Sequence, residues 1–97
     1  MNSADRVTFR QMEMFVAICR AGSFNKAVAE LFVSQQAASK SIRDLEGTLK
    51  VSLLERSTKG VTPTKHGTYF YQECLSILRQ RAYMVEQVRK MDPSSRE

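Results

Sequence analysis

The sequence predicts a mainly α-helical fold in which three short helices and a two-stranded hairpin precede one long helix. Three observations predict it. Capping residues recur at short intervals over the first fifty residues, and apolar residues at helical spacing follow each of them. The β-branched and aliphatic stretch VSLLERSTKGVTPT interrupts that pattern at residues 51–64. Apolar residues then return at helical spacing as far as Asp92-Pro93, which predicts a helix about 40 Å long.

The first two predicted helices are short and adjacent. Thr8 and Gln11 stand three residues apart and form a capping box, and Gly22 is placed to end this helix in the left-handed conformation. Ser23 can begin a second helix, and Ser34 can begin a third. The apolar stripe of the second helix consists of Phe24, Ala27, Val28 and Leu31. Short helices joined by a tight turn predict a helix-turn-helix.

The third predicted helix, residues 35–49, separates its acidic from its basic side chains. Its apolar side consists of Ala38, Ile42, Leu45 and Leu49. The opposite line consists of Gln36, Lys40, Arg43 and Gly47. Asp44 and Glu46 fall on the two flanks, so the most exposed line carries hydrogen-bond donors and no acid. This arrangement favours an acceptor-rich partner, although a solvated helix face is the simpler alternative.

The hairpin and the long helix follow from the remaining residues. Lys59-Gly60 supplies the turn of the hairpin, and Pro63 limits its second strand to a sheet edge. Thr64 can cap the long helix. A coiled-coil-like seam in that helix consists of Tyr71, Leu75, Leu78, Ala82 and Val85. Because the helix is longer than a small core can cover, the seam predicts pairing with a second copy of the chain.

Composition restricts the function further. The 97 residues suffice for one small domain, and a net charge of +5 with a pI near 9.6 favours nucleic acid or another anionic surface. The sequence shows no signal peptide and no membrane-spanning run, so we expect a cytoplasmic protein without a membrane partner. Cys19 and Cys74 are predicted to be buried thiols, and the single His66 cannot provide a histidine-rich metal site. No acid partner is signalled near His66, and neither a Gly-rich phosphate loop nor a nucleophile elbow is present, so we expect neither an enzyme nor a bound cofactor.

Several motifs together resemble the N-terminal domain of LysR-type transcriptional regulators. They are AGSF, LFVSQ, SKSIRDLE, LLER and TKHG, in register over residues 9–67, and the long helix resembles that family's linker helix. Four positions depart from the family's usual residues. Gln36 stands where proline is usual, Lys50 where glycine is usual, Leu54 where phenylalanine is usual and Pro63 where leucine is usual.

The resemblance implies a winged helix-turn-helix that binds double-stranded DNA. The third helix would enter the major groove, and the wing, residues 55–62, would contact flanking backbone or minor groove. The implied base-contacting residues are Gln35, Gln36, Lys40 and Arg43, of which the glutamines can pair with adenine. The implied backbone-contacting residues are Ser34, Ser39, Arg56, Ser57, Thr58, Lys59 and Lys65. Ser34 is equally suited to capping, and Arg56 to tying the wing to Glu46 or Glu55.

The resemblance also divides the chain. It implies a DNA-binding domain at residues 1–64, a dimerising linker helix at 65–92 and a loose tail at 93–97. In the family the long helices pair antiparallel, and a separate domain, which we expect to be absent from this chain, binds a small-molecule inducer and supports higher oligomers. The predicted function is sequence-specific DNA binding by a homodimer at a partially palindromic operator. A winged-helix protein-interaction module that never touches DNA is the alternative.

Overall fold

The computed structural model describes residues 6–93, which form four helices and a two-stranded antiparallel sheet. The elements are α1 (Phe9–Ala21), α2 (Phe24–Leu31), α3 (Gln35–Leu49), β1 (Leu54–Ser57), β2 (Gly60–Pro63) and α4 (Lys65–Lys90). The predicted fold class and element order are confirmed. The tail predicted to be loose, at 93–97, lies outside the described residues apart from Pro93.

Side-chain caps begin all four helices. The Thr8 hydroxyl accepts a hydrogen bond from the Gln11 N–H at 3.0 Å, and the Gln11 Oε1 accepts one from the Thr8 N–H at 2.9 Å, which completes the capping box. The hydroxyls of Ser23, Ser34 and Thr64 each accept from the backbone N–H three residues later, at 3.3, 3.0 and 3.0 Å. The predicted helix starts are therefore confirmed.

Three left-handed residues end the first three helices. Gly22 ends α1 with φ 66°, as predicted. Phe32 ends α2 with φ 56°, and Lys50 ends α3 with φ 60°, although neither residue type favours this conformation. The Phe32 side chain is also 95% exposed. The turn between α2 and α3 thus contains a residue in a backbone conformation that its residue type disfavours.

The core lies between the three short helices, the wing and the first turns of α4. Phe15, Ile18 and Leu45 are completely buried in it. The ring of Phe70 on α4 meets the ring of Phe15 edge to face, with centroids 5.2 Å apart. Further along, the Arg81 Nη2 contacts the Glu13 Oε2 at 2.9 Å, and its guanidinium lies 4.9 Å from the Phe9 ring. These contacts fix the direction in which α4 leaves the domain.

The wing formed by β1 and β2 is attached to the helices at both ends. The Val61 N–H donates to the Gly22 carbonyl at 3.1 Å, which ties β2 to the turn between α1 and α2. The Glu46 carboxylate accepts from the backbone N–H groups of Leu53 and Leu54 at 2.7 and 3.3 Å. The last turn of α3 therefore positions the start of the wing. This coupling fixes the wing relative to the exposed face of α3.

Candidate nucleic-acid interface

The exposed start of α3 brings several predicted contact residues together. Ser34 caps the helix, so Gln35 and Gln36 occupy its first turn with exposed side chains. A shallow cleft of about 280 Å³ is lined by Gln35, Gln36, Ser39 and Arg43. The amides, the hydroxyl and the guanidinium form one surface of hydrogen-bond donors and acceptors. The Ser34 hydroxyl is already used by the Ala37 N–H.

Lys40 is placed on the same helix but is not free. Its Nζ contacts the Asp44 Oδ2 at 2.8 Å, one turn further along α3. The two side chains are 70% and 54% exposed, so the pair is weak and solvent competes for it. A phosphate or a guanine edge can replace the carboxylate as the partner of Lys40. The sequence prediction placed Asp44 on the flank of the helix and did not anticipate this pair.

The wing exposes a polar tip. Ser57, Thr58 and Lys59 are all exposed at the turn between the strands. The Lys59 N–H donates to the Ser57 Oγ at 3.2 Å, so this hydroxyl stabilises the turn while the Lys59 ammonium extends into solvent. Lys65 is exposed at the start of α4, directly after the second strand. The tip thus offers charge more than directional base contacts.

The contacts of Arg56 contradict one of the two roles predicted for it, the ion pair with Glu46 or Glu55. Its guanidinium lies 4.1 Å from the centroid of the Phe24 ring, a cation–π contact between the wing and α2. Within residues 6–93, neither Glu46 nor Glu55 forms an ion pair with it, because Glu46 binds the backbone of the wing instead. The predicted tie to these acids is therefore wrong. Arg56 remains exposed, so contact with a phosphate stays a prediction.

The predicted seam of α4 divides into two parts. Tyr71 packs partly against the core of its own chain, and Leu75 and Leu78 are half-buried. Ala82 and Val85 are exposed. The seam prediction missed further exposed apolar side chains, which are Tyr69, Ile77, Tyr83, Met84, Val88 and Met91. Most of this exposed apolar surface lies from Ile77 onward, in the part of the helix that the core does not cover.

Membrane and metal sites have no counterpart among the described residues 6–93. No helix in this range is both long enough and apolar enough to cross a bilayer. The same range contains no cluster of three histidine, cysteine, aspartate or glutamate side chains placed to hold a metal ion.

Comparison with known proteins identifies the family. Residues 9–68 match the model described as "Bacterial regulatory helix-turn-helix protein, lysR family". The chain belongs to the LysR family. It carries the DNA-binding helix-turn-helix of that family's transcriptional regulators, as the resemblance implied. The matches give no support to the alternative of an interaction module without DNA binding.

The LysR-family domain is similar to parts of longer regulators. It is 37% identical over 86 residues to the uncharacterised HTH-type transcriptional regulator YeiE of Escherichia coli K12, covering 89% of this chain and 29% of that protein. It is 34% identical over 82 residues to the regulator BenM of Acinetobacter baylyi, covering 84% of this chain and 27% of that protein. The chain therefore spans less than a third of the length of these relatives.

Solved structures in the family share its fold. The DNA-binding domain of CbnR in complex with DNA superposes with a TM-score of 0.81 at 34% identity, covering 86% of this chain and 95% of that one. The BenM DNA-binding domain in complex with catB site 1 DNA gives 0.84 at 33% identity, covering 87% and 93%. Both neighbours were captured bound to DNA.

Proposed function

We propose that this LysR-family domain binds a partially palindromic operator as a homodimer and thereby regulates transcription. In each protomer α3 enters the major groove, and the wing contacts flanking backbone or minor groove. One observation carries the proposal: Gln35, Gln36, Ser39 and Arg43 form a single exposed hydrogen-bonding cleft at the start of α3. The structural neighbours bound to DNA have the same fold, which supports this orientation of the helix.

The proposal assigns separate tasks to separate parts of the chain. Residues 1–64 form the DNA-binding domain, and residues 65–92 form the linker helix that pairs protomers. We place recognition of a small-molecule inducer outside both of these parts.

The base-contacting role is tested by separating α3 from the wing. Gln35 carries an amide able to make two hydrogen bonds to adenine, whereas Lys59 carries only charge at the wing tip. Gln35→Ala is expected to cost about 1–3 kcal/mol on the preferred site and much less on random DNA. Lys59→Ala is expected to weaken binding to the preferred site and to random DNA equally. It should also reduce, by about one, the steepness with which log affinity falls with log salt concentration (the salt slope). Gel shifts on a selected site and on random duplex measure both.

Neither substitution removes a buried side chain, so a melting temperature close to that of the wild type serves as the control. The opposite pattern, with site preference lost in Lys59→Ala and retained in Gln35→Ala, would assign sequence recognition to the wing. In that case a narrow minor groove would be the recognised feature.

The dimer is tested on the exposed half of α4. Val85 and Val88 are 37% and 61% exposed, so replacing both with glutamate should abolish pairing without disturbing the core. Gln72 and Ser76 are also exposed, and at 100° per residue they fall on the side of the helix opposite both valines. Gln72→Glu with Ser76→Glu therefore adds the same charge as a matched control. Light scattering should show a monomer only for the valine pair; a wild-type chain that is monomeric at high concentration would exclude the dimer.

A further inference from the structure

A second open cleft, of about 470 Å³, adjoins the C-terminal half of α3. It is lined by Arg6, Gln11, Arg43, Asp44, Gly47 and Thr48. Arg6 stands before the segment that matches the family model, residues 9–68, so it belongs to a part of the chain that the family resemblance does not describe. The structure thus places a basic residue of the N-terminal segment beside the exposed face of α3.

This cleft shares one lining residue with the cleft at the start of α3. Arg43 lines both of them, with Gln35 and Gln36 on its N-terminal side and Thr48 on its C-terminal side. Gly47 leaves its own position in this cleft open, because a Cβ built there would meet no atom within 4 Å. At this position no side chain separates the helix backbone from a ligand in the cleft.

The charges of this cleft favour an anion. Within the part of the chain that the structure describes, Arg6 has no hydrogen bond or ion pair, and its side chain is exposed. The one acid that lines the cleft, Asp44, contacts the Lys40 Nζ at 2.8 Å in an exposed pair. The Gln11 Oε1 accepts from the Thr8 N–H, so its amide hydrogens remain available as donors. Two guanidinium groups and an amide donor thus border the cleft.

We propose that Arg6 and Arg43 bind a backbone phosphate of the DNA strand that flanks the C-terminal half of α3. This inference rests on the proposed function and extends the DNA contact from α3 to the N-terminal segment. Exposed arginines hold a free anion weakly, because water competes for both partners. A duplex already held by the start of α3 presents its phosphate at a high effective concentration. The two arginines therefore bind this phosphate more strongly than they bind a free anion.

The test removes one charge in the cleft and one far from it. Arg6→Gln deletes the proposed phosphate contact, and Lys90→Gln removes the same charge at the exposed end of α4. Arg6→Gln is expected to weaken binding of random duplex DNA about three- to tenfold and to lower the salt slope by about one per bound protomer. Lys90→Gln should change affinity less than about twofold. Both variants should melt like the wild type, since neither side chain is buried.

Single neutral methylphosphonate linkages, placed one at a time along the duplex, then locate the contact. Neutralising the phosphate that Arg6 and Arg43 bind should weaken the wild type more than it weakens Arg6→Gln, in which only Arg43 still contacts that phosphate. Equal losses for Arg6→Gln and Lys90→Gln, with normal DNA binding by the wild type, would overturn the inference and leave the proposed function intact. Failure of the wild type to bind any duplex would overturn the proposed function itself. Saturable binding of inorganic phosphate with a Kd below about 1 mM would show a small-anion site and also overturn the inference.

Discussion

Lys50 occupies a backbone conformation that glycine adopts with least strain. It ends α3 with φ 60° and ψ 32°, and it stands where the LysR-family resemblance expects glycine. The left-handed conformation costs a residue with a Cβ about 1–2 kcal/mol, partly offset because glycine loses more entropy on folding. Lys50→Gly is therefore expected to raise the free energy of unfolding by about 0.5–1 kcal/mol in urea denaturation. Lys50→Ala removes the same charge but keeps a Cβ in the left-handed conformation. An equal rise in the free energy of unfolding for Lys50→Ala would assign the effect to charge.

Asp44 is expected to restrain Lys40 before DNA arrives. Asp44→Asn removes the carboxylate that contacts Lys40 at 2.8 Å and also removes a negative charge beside the cleft that Arg6 lines. Affinity for random DNA should rise about two- to fivefold, with a small loss of stability typical of an exposed helical pair. Glu30→Gln removes an exposed acid from α2 and is the matched control. A rise of the same size in Glu30→Gln would show that only net charge matters.

Cys19 and Cys74 should be poor nucleophiles in the native domain. Cys74 is buried as predicted, whereas Cys19 is only half-buried. Burial is the main cause that raises the pKa of both thiols from 9.0 to about 11, and the neighbouring Cys74 and Glu73 raise the pKa of Cys19 and Cys74 respectively by less. The thiolate is the reactive form, so iodoacetamide should modify the native chain much more slowly than the urea-unfolded chain at pH 8. Because the unfolded thiols ionise first, stability should fall as pH rises from about 9 to about 11. Equal native and unfolded alkylation rates would contradict this.

Among the elements, two glycines lead to opposite predictions for α3 and α4. A Cβ at Gly67 would overlap the Leu53 carbonyl oxygen, so this glycine allows α4 to pack against the start of the wing. Gly67→Ala is expected to destabilise the domain by about 2 kcal/mol or more. Gly47 lies in α3 with free space around it, so Gly47→Ala should stabilise by about 0.5–1 kcal/mol. Urea denaturation compares them directly, and a neutral Gly67→Ala would mean that α4 can shift away.

The helix starts could be predicted from sequence because a cap acts within three residues. Thr8, Ser23, Ser34 and Thr64 each bond to a backbone N–H three residues further on, so the signal is complete within a local window. The backbone conformation that ends α2 was harder to predict from sequence, because Phe32 adopts φ 56°, which phenylalanine does not favour. Packing of the flanking helices, rather than local propensity, imposes that turn.

For the molecule as a whole, the basic surface predicts the salt dependence of DNA binding. Lys40, Arg43, Lys59 and Lys65 are exposed in each protomer, and Arg56 remains partly available beside Phe24. A dimer would then neutralise roughly six to ten phosphates, and log affinity should fall with log salt at a slope of about −5 to −9. Titrations at several salt concentrations measure it. A slope near zero with retained binding would place DNA away from this surface.

The resemblance of its motifs to a known family predicted the family, and local spacing along the chain was sufficient to predict the order of the elements, the helix starts and the donor-rich face of α3. Each of these properties depends on residues a few positions apart, which the chain carries without its fold. Three-dimensional packing was needed to show that Arg56 stacks on Phe24, that Glu46 holds the wing and that Arg6 lines a cleft with the end of α3. These contacts join residues from different elements, and no local pattern selects among the many possible partners. Contacts distant in sequence arise from how the core packs, and that packing positions the proposed DNA-binding surface.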